Sequence, residues 1–155
     1  MRGTRWLKNF FAVCTTLTVL LTGVTRAKDG TSVLAQIQET ILDVRMTKGP
    51  SMDRTNAAER LSQLTKRVAP NEVDDKTLAD LVSLLDINDD SVRGWVAGAL
   101  GYLGPRAKLA VPALLKVTHE TDCIQLREMT SAGAARLALK RIGVTPPTAH
   151  CGTQR

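Results

Sequence analysis

Sliding this sequence along itself by 39 residues brings Leu61 onto Leu100 onto Leu139, and Leu64 onto Leu103 onto Ile142. Ala57 then falls on Val96 and Ala135, and Arg54 falls on Arg93. The register breaks at Ala132, which stands where the arginines stand, and at Arg136, which faces Ala58 and Ala97. Helix pairs that recur at about 40 residues bury their apolar faces against neighbouring copies, because one pair alone cannot cover them. No stretch alternates apolar and polar residues as a strand would. The repeat therefore restricts the chain to a stack of helices.

Apolar spacing predicts six of them. The first, over residues 32–46, carries Leu34, Ile37, Ile41 and Leu42 on one face, and the second, over 53–68, carries Ala57, Leu61, Leu64 and Val68. The third, over 74–86, offers Leu78, Leu81, Leu84 and Leu85, with acids at its start where the helix dipole favours them. "NDD" reads as a loop and cap, so the fourth helix begins at about Asp90. The fifth and sixth are expected over 105–118 and 126–143. The expected fold class is all-α: an α-solenoid of about three helix pairs over residues 28–143, followed by a tail over 144–155.

The middle copy also carries a resemblance. "DDSVRGWVAGALGYLGPRAKLAVPALLKVT" resembles a HEAT repeat of the short bacterial kind. Its first helix matches at Asp90, Val92, Arg93, Ala99, Leu100, Gly101, Leu103 and Gly104. Its second opens with Ala110, Val111, Pro112, Ala113 and Leu114. The likeness covers residues 74–118 well, 126–143 in part, and 32–68 only through the 39-residue register. The third copy departs from the pattern around "HETDCI". What the resemblance implies is a curved stack used mainly to bind other proteins. A few relatives act on bilin cofactors, and fold alone does not decide between these uses.

Residues 1–27 have a different character. Arg2, Arg5 and Lys8 precede an apolar run from Phe10 to Val24, and Thr25 and Ala27 place small residues before a cut after Ala27. This is the layout of a secretory signal peptide, and the run is short for a hydrocarbon core ~30 Å thick. The expected location is periplasmic or secreted, with no stable membrane insertion after cleavage. Charge agrees with this division. Four of the 21 bases lie in the leader, which holds no acid, so 17 bases face the 15 acids beyond it. The mature chain is nearly balanced, and Arg106, Lys108, Arg136, Lys140 and Arg141 read as a solvated face and not as a nucleic-acid site.

Outside the cytoplasm, Cys123 and Cys151 are expected to form a disulfide tethering the tail, worth on the order of 3 kcal/mol. The same residues carry the alternative function, a thiol-dependent or cofactor-binding enzyme related to HEAT-like lyases, with His119 or His150 beside a cysteine. Two histidines and two thiolates also make a zinc set, but neither spacing is a standard metal motif. No glycine-rich phosphate loop, HExxH or GxSxG occurs. "DINDD" lacks the glycine and distal glutamate of a calcium loop. No catalytic residue, metal or cofactor is therefore assigned.

The candidate binding residues lie on the even-numbered helices. Arg54 and Arg93 recur at one repeat position and are expected to pair with loop aspartates such as Asp53, Asp89 and Asp90. Gly94, Ala97, Gly98 and Gly101 share the face opposite Val92, Val96, Ala99, Leu100 and Leu103, predicting an exposed, bare strip of backbone. Trp95 and Tyr102 flank the apolar stripe of the fourth helix and read as core and shoulder residues, and a partly exposed Tyr102 suits a partner anchor. The function expected is a non-catalytic module holding a protein partner in this groove, one version being an inhibitor or immunity protein.

Overall fold

The computed structural model describes residues 32–119 and 130–148. Six α-helices and no strand lie within them: α1 (Val33–Met46), α2 (Met52–Thr65), α3 (Asp75–Ser83), α4 (Asp90–Tyr102), α5 (Val111–His119) and α6 (Ser131–Ile142). Short 3-10 segments occupy Pro70–Glu72, Leu84–Asp86 and Gly104–Ala110. The chain is all-α, as its periodicity predicts. The leader, Cys123, Cys151 and His150 lie outside the described residues, and with them the disulfide.

Side-chain caps set most of the helix starts. Ser32, Ser51, Asp74, Asp89 and Thr130 each accept a backbone N–H three residues on, at 2.7–3.2 Å, satisfying a donor that the helix itself cannot. Thr130 is extended, with φ −89° and ψ 157°. That conformation starts the sixth helix at Ser131, several residues later than the expected 126. The fifth is shorter than expected for a related reason: residues 104–110 coil as a 3-10 segment, and the α-helix opens only at Val111. Gly104 and Gly143 hold positive φ, 54° and 94°, where the chain leaves α4 and α6.

α2, α4 and α6 lie side by side. A Cβ built on Gly98 would sit 3.4 Å from Ser62 Oγ on α2, and four residues along each helix Lys66 Nζ stands 5.8 Å from the Tyr102 ring centroid. On the other flank Gly94 faces Ser131, and seven residues further Gly101 faces Ala138. Contacts that advance together along both partners require parallel helices. α1 packs behind α2, α5 behind α6, and α3 with its following 3-10 turn behind α4.

The core sits between these two layers. Leu61, Leu100, Leu103 and Leu139 are fully buried, and Leu64, Val96, Ala135 and Ile142 are also buried, so the aligned apolar positions face inward except on α2, where Ala57 is half-buried and its neighbour Ala58 takes the core place. One expectation about α1 is corrected. Leu42 is 55% exposed, and the buried stripe runs through Ile37, Thr40, Ile41 and Val44. Leu42 follows Ile41 directly and so lies about 100° around the helix from it.

Polar contacts tie α1 to α3. Gln38 Nε2 donates to Thr77 Oγ1 at 3.0 Å, and Arg45 donates to Ser83 Oγ at 2.8 Å and Asp80 Oδ1 at 3.2 Å. Lys76 donates to the other Asp80 oxygen at 2.9 Å. The hydrogen bond from Lys76, and then that from Arg45, hold the Asp80 carboxyl below its ordinary pKa, and the Thr77 backbone N–H does the same for Asp74. Folded-state pKa values below the unfolded ones give stability that is present above about pH 4 and lost as pH falls through the folded values. Asp80→Asn should therefore narrow the gap between urea midpoints measured at pH 7 and pH 3. An unchanged gap would show that Asp80 carries none of the acid sensitivity.

Candidate binding groove

The two recurring arginines turn away from any common surface. Arg54 Nε donates to the Val44 carbonyl at 3.1 Å and a terminal nitrogen donates to the Thr47 carbonyl, closing two acceptors at the end of α1 that the helix leaves open. This corrects the expected pairing of Arg54 with an aspartate: backbone acceptors at a helix C-terminus compete for a cation as carboxylates do. Arg93 does lie 3.9 Å from Asp90. Asp90 in turn accepts from the Ser131 hydroxyl and, at 3.4 Å, from the Ser131 N–H, linking the starts of α4 and α6.

The third copy repairs its own break in register. Arg136, one helical turn beyond the position aligned with Arg54, donates to the Thr118 carbonyl at 3.4 Å. It reaches the end of α5 much as Arg54 reaches the end of α1. Removing such a charged donor leaves half-buried carbonyls unmet, so Arg54→Met should cost about 2 kcal/mol. Urea unfolding tests this, and a loss below about 0.5 kcal/mol would reduce the contact to decoration.

Three helices leave a groove of about 440 Å³ between them, within the size range of ligand clefts. Ser91, Gly94, Trp95, Gly98 and Tyr102 of α4 line it lengthwise. α2 contributes the hydroxyls of Thr55 and Ser62, and α6 contributes Ala134, Leu137, Ala138 and Arg141. Of the expected site residues, Gly94, Gly98 and Tyr102 meet here. Arg54, Arg93 and Gly101 do not line it.

The glycines separate into two kinds. Gly101 is buried under α6: a Cβ there would lie 3.1 Å from Ala138 Cα and 3.2 Å from Ala138 Cβ. The expectation of an exposed strip fails at this position because α6 crosses α4 closely enough to need a missing side chain, and it fails at Ala97 as well, which is fully buried in the core. Gly94 and Gly98 are half-buried, and a Cβ on either would meet only ordinary contacts at 3.8 and 3.4 Å. The fold has room for alanine at both.

One end of the groove is basic. Tyr102, 38% exposed, stands 4.9 Å from the Arg141 guanidinium carbon and 5.8 Å from Lys66 Nζ, measured to its ring centroid, within range of cation–π attraction. The bases expected to form one solvated face are spread apart. Arg106 pairs with Asp75 at 2.5 Å and with the Val73 carbonyl at 3.0 Å, Arg136 turns to α5, and only Arg141 enters the groove.

The register marked more of this site than the glycines alone. Leu137 occupies the repeat position of Gly98, and Arg141 that of Tyr102. Among the described residues no group of three or more His, Cys, Asp or Glu could hold a metal, and no helix is long and apolar enough to cross a membrane. No family model matches the chain, and neither a curated protein nor a solved structure shows significant similarity to it.

Proposed function

We propose that this chain is an extracytoplasmic, non-catalytic binding module, a short HEAT-like solenoid that holds a protein partner in the groove of α2, α4 and α6. The observation that carries this reading is the pair of glycines at 94 and 98. Alanine fits both positions and would strengthen the helix by up to about 1 kcal/mol each. Glycine there leaves the groove open at a cost in stability, which is what a docking surface requires and a mere scaffold does not. The leader sequence supports the location, and the lack of a glycine-rich phosphate loop, HExxH or GxSxG in the sequence agrees with a binding role.

A photo-crosslinking amino acid at position 137, inside the groove, should capture a defined protein in the cell envelope. The same group at position 42, an exposed site on α1, should not. Gly98→Leu, which fills the groove, should abolish the capture while leaving the helical circular dichroism intact. Equal crosslinking from both positions, or capture that survives Gly98→Leu, would sink the groove as the docking site.

A further inference from the structure

The chemistry of the groove names the kind of segment it takes. We infer that the partner enters as an extended stretch of about five residues, with acidic side chains lying beside Lys66 and Arg141; this rests on the protein-binding reading above. Three observations converge on it.

The first is charge. Among the described residues Arg141 is the one charged residue lining the groove, and no aspartate or glutamate lines it. Lys66 and Arg141 form no ion pair among the described residues, although Arg45, Lys76, Arg93, Arg106 and Lys116 each lie within ion-pair distance of an aspartate. Tyr102 holds the two cations near its ring, and their hydrogen-bond donors are left for an incoming anion. A carboxylate placed there meets two positive charges.

The second is length. The lining residues of α4 run from Ser91 to Tyr102, roughly 16 Å at the helical rise. An extended peptide covers that distance in about five residues.

The third is the lining beyond the basic end. Gly94 and Gly98 allow a backbone to lie close against α4, Ser91, Thr55 and Ser62 offer hydroxyls to its amides, and Trp95 and Leu137 offer apolar surface to one side chain. An apolar residue followed by acids fits this order.

The test is a titration of the ¹⁵N-labelled protein with end-blocked Leu-Ala-Ser-Glu-Glu, following the amides of Gly94, Gly98 and Tyr102. Those signals should move in a saturable way, with affinity falling at least tenfold when both glutamates become glutamine or lysine. Lys66→Gln with Arg141→Gln should weaken binding of the acidic peptide by a similar factor and leave the glutamine peptide unaffected. If the three peptides bind the groove equally well, the anionic preference is overturned and the peptide groove stands. If none moves the groove signals, the extended acidic segment is overturned, and the protein-binding reading stands or falls on the crosslinking from position 137. Equal binding of the glutamine peptide with a free C-terminus would overturn the proposal in favour of chain-end capture. Movement of the same signals with protein concentration alone would overturn it in favour of a second copy.

Discussion

Gly101→Val is expected to destabilise the fold by about 3 kcal/mol, while Gly98→Ala, one turn away on the same helix, stabilises it by about 0.5–1 kcal/mol. The two outcomes follow from what each new side chain meets. At position 101 the first added carbon lies 3.1 Å from Ala138 Cα, a backbone atom that can yield only if α6 moves. Valine adds two more carbons and a β-branch on top of that contact, placing the cost at the upper end for overpacking. At position 98 the nearest atom is a serine hydroxyl at 3.4 Å, so alanine collects its helix propensity without collision. Urea unfolding of the two variants would settle the matter, and a neutral Gly101→Val would mean that α4 and α6 are not in close contact.

Leu100→Ala should cost more, about 3–4 kcal/mol. Leu100 is fully buried on the helix that packs against both α2 and α6, so the surroundings have little freedom to collapse into the space left by the lost carbons. For a domain of this size that loss corresponds to a fall in thermal midpoint of roughly 12 °C or more. Leu109→Ala is the control. Leu109 is 60% exposed on the 3-10 segment, and its truncation should change stability by less than about 0.5 kcal/mol. Similar costs at the two positions would contradict the core described above.

The 39-residue shift identified the buried positions of α2, α4 and α6 because burial is periodic and leucine at a recurring position has one physical use. The boundaries of α5 and α6 were less legible. They depend on Thr130 turning extended and on residues 104–110 coiling more tightly than an α-helix, which are local backbone choices that apolar spacing does not record. The groove was half legible. Gly94, Gly98 and Tyr102 stood out as exceptions to helix composition, but their partners Ser62, Leu137 and Arg141 read as ordinary surface until the helices were set side by side. Gly101 looked like its neighbours because a wheel projection places it on their face. What separates it is the approach of a second helix, and no single-helix projection contains that. Arg136 was a break in the register by sequence and a restored contact in space, since one helical turn moves a long side chain little relative to the carbonyls it seeks.

The reach of Arg54 also bears on how the chain comes together. Its two carbonyl partners stand only seven and ten residues upstream, so latching α1 to α2 closes a short loop at little cost in chain entropy. Arg136 reaches back 18 residues, and α6 completes one wall of the groove. The first hairpin thus closes on local contacts, whereas the docking surface exists only once the last helix has packed.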